Sequence, residues 1–367
     1  MSDTFEPACR RMEWLDPFYK QVWEKAFADG IPISGTFELT PRCNFNCKMC
    51  YVHLKAEDIP KHGRELTAKE WLRIAQEAKE AGTTWVCVTG GEPLLHPEFE
   101  TIWKGLAQMG FFLTLQTNAS LISGKIVELL EQYPPRQVKI TLYGSNDEVY
   151  KAVCGVGNGF TCVNDGIHTL MSMGIPVELV STIIRQNQDD LQNMAYYAAR
   201  HRLRWIPTAS IKPSLRGADV DVEAVKAQMP PEVAERNRQQ REEWMQKHPF
   251  DPNRKPVTYC RDYRLGYWVT WDGMMRFCSF MDEPNIPVRE MAFGEAWKQL
   301  LGFEETLSWP EQCKNCDRQR YCVHCAASFT QLENVCGIKQ IFEVSCTQNK
   351  ENGGLQHGNS RRNICEC

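Results

Sequence analysis

The sequence predicts an α/β fold: a partial (β/α)6 TIM-like barrel followed by a small, cysteine-rich C-terminal domain. Three observations carry this reading. Six short apolar, β-branched runs alternate with amphipathic stretches between residues 36 and 215, the pattern of a parallel sheet with right-handed helical crossovers. Six such units fall short of the eight that close a barrel, so the barrel is expected to be open. Beyond residue 256 helix signals thin out and cysteines cluster.

The strands are expected at TFELT (36–40), TWVCVTG (84–90), FFLTLQT (111–117), QVKITLY (137–143), PVELVSTI (176–183) and RWIPTASI (204–211). Helices are expected between them at 67–82, 97–110, 123–132, 159–174 and 187–202. The first has explicit ends: Thr67 and Glu70 form a capping box, and Gly82 stops it. Residues 1–35 read as an N-terminal extension, 36–215 as the barrel and 216–255 as a polar helical linker broken by Pro230 and Pro231. Residues 256–350 read as a cysteine-rich domain too irregular to bury its own core without metal, and 351–367 as a tail.

At 367 residues the chain can hold one large domain and a smaller one. A net charge of −4 gives no footprint for nucleic acid or an anionic membrane. No apolar run is long enough to span a bilayer, and the N-terminus lacks a signal core, so a cytoplasmic location is expected. Seventeen cysteines in such a chain should be reduced thiols, which points to metal or redox chemistry. Cys87, Cys154 and Cys162 are isolated and read as small buried hydrophobes.

The clustered cysteines are different. Cys43, Cys47 and Cys50 fall in the eight-residue stretch CNFNCKMC, just past the first expected strand, where the loops of a parallel barrel form the active face. Three thiolates can hold three irons of a [4Fe-4S] cube and leave the fourth open to another ligand. One crossover later, TGGEP (Thr89, Gly90, Gly91, Glu92, Pro93) ends the second strand, and its glycines allow close backbone approach. This C-x3-C-x2-C triplet followed by GGE resembles the radical S-adenosylmethionine (radical SAM) family. One departure is visible: Met49 stands where that family usually has an aromatic residue, with Tyr51 following the third cysteine.

The resemblance implies that Cys43, Cys47 and Cys50 hold the radical-generating cluster and that the Thr89–Pro93 stretch holds the methionine amino group. It matches Gln116-Thr117-Asn118 to the family's T-N-G/A segment, Thr141 to a hydroxyl residue that contacts the ribose and Ile206 to a position that lines the adenine, with strand-end Ser181 and Thr182 facing the same mouth. The reduced cluster would then cleave SAM to a 5′-deoxyadenosyl radical, with flavodoxin or ferredoxin as the expected reductant.

The C-terminal region is similar to the SPASM domain, which binds auxiliary iron–sulfur clusters. Cys260 and Gly273-x4-Cys278 are followed by CKNCDRQRYCVHC (Cys313, Cys316, Cys322, Cys325) and then Cys346. The last spacing is one residue shorter than the family pattern. By analogy Cys313, Cys316, Cys322 and Cys346 hold the outer cluster, and Cys260, Cys278 and Cys325 the inner one, with Cys336, water or substrate as a fourth ligand. The two C-x2-C pairs also fit zinc. SPASM enzymes act mostly on peptides and proteins, so oxidation or cross-linking of a peptide side chain is expected. Ser279 occupies the place where sulfatase-maturating relatives carry Asp; Asp272 and Asp282 are the candidate acid/base groups. The first 35 residues are too few for the peptide-binding domain of many such relatives, which favours the alternative of a small-molecule substrate. A non-catalytic iron–sulfur or zinc scaffold is the third reading.

Overall fold

The computed structural model describes residues 17–209 and, with gaps, 211–316, together with 326 and 327. In chain order the elements are α1 (Pro17–Asp29), β1 (Ser34–Glu38), α2 (Ile59–His62), α3 (Ala68–Glu80), β2 (Trp85–Thr89), α4 (Phe99–Gln108), β3 (Phe112–Thr117), α5 (Lys125–Gln132), β4 (Gln137–Thr141), α6 (Asp147–Cys154), α7 (Gly159–Ser172), β5 (Val177–Thr182), α8 (Leu191–Arg200), β6 (Arg204–Thr208), α9 (Val222–Val225), β7 (Gly266–Val269), β8 (Met275–Arg276), α10 (Phe293–Gly302) and α11 (Glu311–Lys314). Among the described residues no helix is long and apolar enough to cross a membrane.

All six expected strands form, in parallel, each beside the next. The capping box of α3 is present: Glu70 N–H donates to Thr67 Oγ1 at 3.3 Å and Thr67 N–H donates to the Glu70 carboxylate at 2.9 Å. The outer faces of β1 to β5 are apolar and covered, with Phe37, Val88, Leu115, Val138, Ile140 and Leu179 all buried.

The expected strand count needs correction. The sheet has eight strands, in the order β6-β5-β4-β3-β2-β1-β7-β8. β7 pairs in parallel with β1, Ser34 opposite Gly266, and β8 turns back antiparallel on β7. These strands are four and two residues long, too short to read locally, and they form because β1 offers an unpaired edge. Residues Asp262–Phe303 accordingly group with the barrel in one compact unit, and Met229–Arg261 with Glu304–Cys367 make the other.

Helices not expected from sequence also build the first unit, α1 and α6 among them. α1 sets Trp23 and Tyr19 against Trp85, which in turn packs on Phe112, covering the N-terminal end of β2 and β3 with aromatic rings. α6 is capped by Asn146, whose side chain accepts from Val149 N–H, and ends at Gly155 in the left-handed conformation. In the second unit, Cys313 N–H donates to Pro310 O at the start of α11, and Cys316 N–H to Cys313 O.

Candidate functional site

The loop after β1 is built as a cradle for its three thiols. Asn46 N–H donates to Cys154 O at 2.9 Å and Lys48 N–H to Val153 O at 3.0 Å, so the C-terminal turn of α6 fixes the middle of the loop. Cys50 N–H donates to Cys47 O, closing a tight turn, and Leu54 N–H returns to Pro41 O. The Phe45 ring meets Tyr150 of α6 edge-on at 6.2 Å. Backbone N–H groups of Phe45 and His53 point at the sulfurs of Cys43 and Cys50, at 3.4 and 3.3 Å.

Burial, with smaller repulsion from Glu92, Cys47 and Cys50, pushes the Cys43 thiol well above its ordinary range. Burial and the neighbouring Cys47 push Cys50 up to about 11. Cys47 is raised chiefly by a hydrogen bond with the buried Cys154 thiol, and then by burial. Without a cationic centre these thiols keep their protons. Iron would displace them, as ligation by thiolate requires.

The TGGEP turn lies against this loop with no room between. Gly91 N–H donates to Thr40 O and Glu92 N–H to Arg42 O, both at 2.7 Å. A Cβ on Gly90 would meet Thr40 O at 2.7 Å, and one on Gly91 would meet Arg42 O at 2.4 Å. The two glycines are therefore dictated by contact with the cysteine loop's own backbone.

Glu92 serves the next loop. Its carboxylate is buried and accepts from Thr117 Oγ1 at 2.7 Å, Asn118 N–H at 2.8 Å and Leu94 N–H at 3.2 Å. Desolvation outweighs these bonds and raises Glu92 to about 7. Asn118 in turn donates to Asn44 Oδ1 at 2.9 Å, in the cysteine loop. The loops after β1, β2 and β3 thus form one hydrogen-bonded rim.

A cavity of about 270 Å³ opens at this rim. Cys43, Cys47 and Cys50 line it on one side, with Met49 and Tyr51. Thr89, Gly90 and Gly91 supply the second wall. Gln116, Asn118, Thr141, Ser181 and Thr182 follow around the strand ends. One face of β2, β3, β4, β5, β6 and β7 lines this single space, so the sheet curls around it. Among the described residues no three His, Cys, Asp or Glu side chains converge on a single metal ion. A four-iron cube holds its thiolates further apart than one ion does, and the donor set here is sulfur only, which suits a cluster.

Not every expected residue reaches the cavity. Glu92 and Pro93 lie behind it, in the turn they stabilise. Ile206 is 38% exposed on β6 and is not among the lining residues, whereas Ile211 is. Asp272 sits in the β7–β8 hairpin, accepting from Thr270 Oγ1 at 2.5 Å, away from the lining. Cys278 is half-buried in the first unit; Cys260 is exposed, and Cys313 and Cys316 half-buried, in the second. Asp282, Cys322, Cys325, Cys336, Cys346, Cys365 and Cys367 lie outside the described residues.

Several lining residues escaped the sequence reading. Phe45 and Tyr143 carry no motif signal. Trp268 and Phe280 were assigned to the C-terminal domain, yet Trp268 faces the cavity from β7, and Phe280 packs on Tyr51 at 4.9 Å. Ser279 Oγ accepts from Tyr51 Oη at 3.3 Å, so the segment bearing Cys278 rests on the cysteine loop. Isolated Cys154 is not merely filler, since it touches Cys47.

Residues 37–197, spanning the cysteine loop, the TGGEP turn and β1 to α8, match the family model of the Radical SAM superfamily. This stretch, a little under half of the chain, is similar to the radical SAM superfamily. A probable GTP 3′,8-cyclase of Pyrobaculum aerophilum is 27% identical over 167 residues, 44% of this chain and about half (53%) of that protein's length. An AdoMet-dependent heme synthase of Methanosarcina barkeri is 24% identical over 321 residues, 79% of this chain and 90% of that one. A PqqA peptide cyclase of Ruegeria pomeroyi is 25% identical over 317 residues, 78% of this chain and 80% of that one. Among solved structures, Streptococcus suis SuiB superposes with a TM-score of 0.62 at 14% identity, over 87% of this chain and 81% of that one. The structure of anSMEcpe with bound AdoMet gives 0.57 at 15%, over 86% and 98%. These likenesses show an α/β fold with a mostly parallel sheet.

Proposed function

We propose that the chain is a radical SAM enzyme that modifies a side chain of a peptide or protein. The observation that carries the radical chemistry is the single cavity walled by three thiols, a glycine backbone edge and strand-end polar groups. Cys43, Cys47 and Cys50 would hold a [4Fe-4S] cluster. The chemistry such a cluster supplies when bound is one-electron cleavage of SAM to methionine and a 5′-deoxyadenosyl radical, which takes a hydrogen atom from substrate. The chain's own part is placement and protection. The carbonyls around Thr89–Gly91 accept from the methionine ammonium, while Glu92 holds the turn that presents them. Gln116, Thr141 and Thr182 offer hydrogen bonds to the ribose. Met49, Tyr51 and Phe280 make an apolar side that keeps water from the radical.

The peptide reading is supported by the PqqA peptide cyclase relative and by fold neighbours whose structures contain a precursor peptide (SuiB) or a Kp18Cys peptide (anSMEcpe). Cys260, Cys278, Cys313, Cys316, Cys322, Cys325 and Cys346 would hold two auxiliary clusters in a SPASM-like domain and accept the electron left on substrate. A small-molecule substrate is the second reading, favoured by the heme synthase match over 79% of the chain. The test is anaerobic reconstitution followed by iron and sulfide counts and peptide turnover. About twelve irons per chain and a mass shift on a peptide support the proposal. About four irons with zinc recovered alongside, and turnover only with metabolites, oppose it.

A further inference from the structure

The barrel interior below the cavity is not filled in the usual way. A packed barrel carries layers of branched apolar side chains inside. Here the inward positions hold Trp85 and Phe112 at the base and Ile206 on β6, but otherwise Ser34, Thr36 and Glu38 of β1, Cys87 of β2, Thr114 and Gln116 of β3, Gln137 and Lys139 of β4, Glu178 of β5 and Arg204 of β6. Their parity is fixed by Thr89, Gln116, Thr141, Val180, Thr208 and Trp268, which lie on the same strand faces and line the cavity. Thr36, Cys87, Thr114, Gln116, Gln137 and Lys139 are only half-buried, whereas the outward residues between them are fully buried.

The strand register gathers the charges at one level. Gln116 pairs with Lys139, Lys139 with Glu178 and Glu178 with Arg204. Lys139 and Glu178 stand two residues before Thr141 and Val180, which line the cavity, so this level lies beneath the lining residues. The Glu178 side chain is 4% exposed, with Oε2 at 3.1 Å from an Arg204 guanidinium nitrogen and Oε1 at 3.8 Å from Lys139 Nζ. Oε1 is buried and makes no hydrogen bond. A buried carboxylate with an unbonded oxygen is unfavourable unless something uses it. Backbone pairing already joins β5 to β6 through five residue pairs, so the strands do not depend on this ion pair. Two cations around one carboxylate leave a net positive wall, and the Arg204 side chain is 71% exposed with most of its donor fork turned to solvent. On β1 the buried Glu38 carboxylate accepts from Trp268 Nε1 at 3.0 Å.

We propose that Arg204, Lys139 and Glu178 form a substrate clamp for a carboxylate-bearing ligand: the carboxylate docks on the Arg204 fork and Lys139, and a neighbouring N–H donates to Glu178 Oε1. An acidic residue in an extended peptide offers both groups at that spacing. This assignment rests on the radical SAM reading for where the reacting atom lies, but binding to the clamp is measured without turnover.

The test uses the reconstituted full-length protein and ligand-observed NMR with three probes: random hexapeptides each carrying one Glu, the same pool with Gln, and glutarate. Wild type is expected to bind the Glu pool on the order of tenfold more tightly than the Gln pool, the worth of a charge-assisted pair. Arg204→Gln should bring that ratio close to one, Arg204→Lys should restore part of it, and Lys139→Gln should reduce it by a smaller factor. Glutarate binding as tightly as the Glu pool would assign the clamp to a free acid; weaker binding assigns it to an acidic peptide. Equal binding of both pools to wild type overturns the proposal, as does a wild-type ratio retained in both Arg204→Gln and Lys139→Gln. A merely structural ion pair would lower the stability of Arg204→Gln and leave the ratio alone. Failure of SAM cleavage would count against the proposed function and not against this clamp.

Discussion

Replacing Gly91 by alanine tests the physical reason for the TGGEP turn. The new methyl would lie 2.4 Å from Arg42 O and 2.9 Å from Pro41 O. Both are backbone atoms, so no rotamer change relieves the contact, and the turn and the cysteine loop must separate. Separation loses the bonds from Gly91 N–H to Thr40 O and from Glu92 N–H to Arg42 O. Overpacking of this kind costs about 1–3 kcal/mol, and each bond about 0.5–1.5 kcal/mol. The expected destabilisation is therefore about 3 kcal/mol or more, with weaker SAM binding because the ammonium acceptors move. Gly294→Ala is the control: it sits in the first turn of α10 with nothing within 4 Å of its Cβ, and should be neutral or slightly stabilising. Urea unfolding of the apo proteins and equilibrium dialysis with SAM after reconstitution read both effects. If Gly91→Ala matched Gly294→Ala in stability and bound SAM like the wild type, the steric account of the motif would be refuted.

Other outcomes follow from the same geometry. Burial raises Glu92 to about 7, above its unfolded value near 4.5, so its contribution to stability is fully present below pH 4.5 and is lost as pH rises through 7. The expected loss is about 3 kcal/mol, and the stability of wild type relative to Glu92→Gln should fall over that window in apo-protein denaturation curves. Thr67→Ala removes the capping box of α3 and should lower stability by about 1 kcal/mol, read as a reduced Tm. Since the three loop thiols are held protonated, iron and sulfide uptake should release protons and should fall as pH is lowered from 9 to 7, measured by cluster absorbance.

How much was legible in the sequence follows from how local each signal is. The six β-branched runs and the Thr67–Glu70 box are local, and the structure places them within a few residues of expectation. The cysteine triplet and the two glycines were legible as a spacing. Their mechanical reason was not, because it depends on a contact between two loops about fifty residues apart. The spacing marks Glu92 as a candidate ligand group, but its bonds from Thr117 and Asn118 depend on the next loop and were not legible. β7 and β8 were missed because four and two residues carry little periodicity, and their partner β1 lies more than two hundred residues away. Trp268 and Phe280 were hidden with them. Ile211 was missed because it lies beyond the end of β6, where no strand alternation marks it.

The central claim is that the cavity walled by Cys43, Cys47, Cys50 and the glycine turn generates a radical from SAM. The most direct measurement is 5′-deoxyadenosine and methionine formation by anaerobically reconstituted, dithionite-reduced protein, beside a variant with Cys43, Cys47 and Cys50 all changed to alanine. The expected result is equimolar products from the native chain and none from the variant. A fully loaded native chain that left SAM intact, or a variant that still cleaved it, would contradict the account.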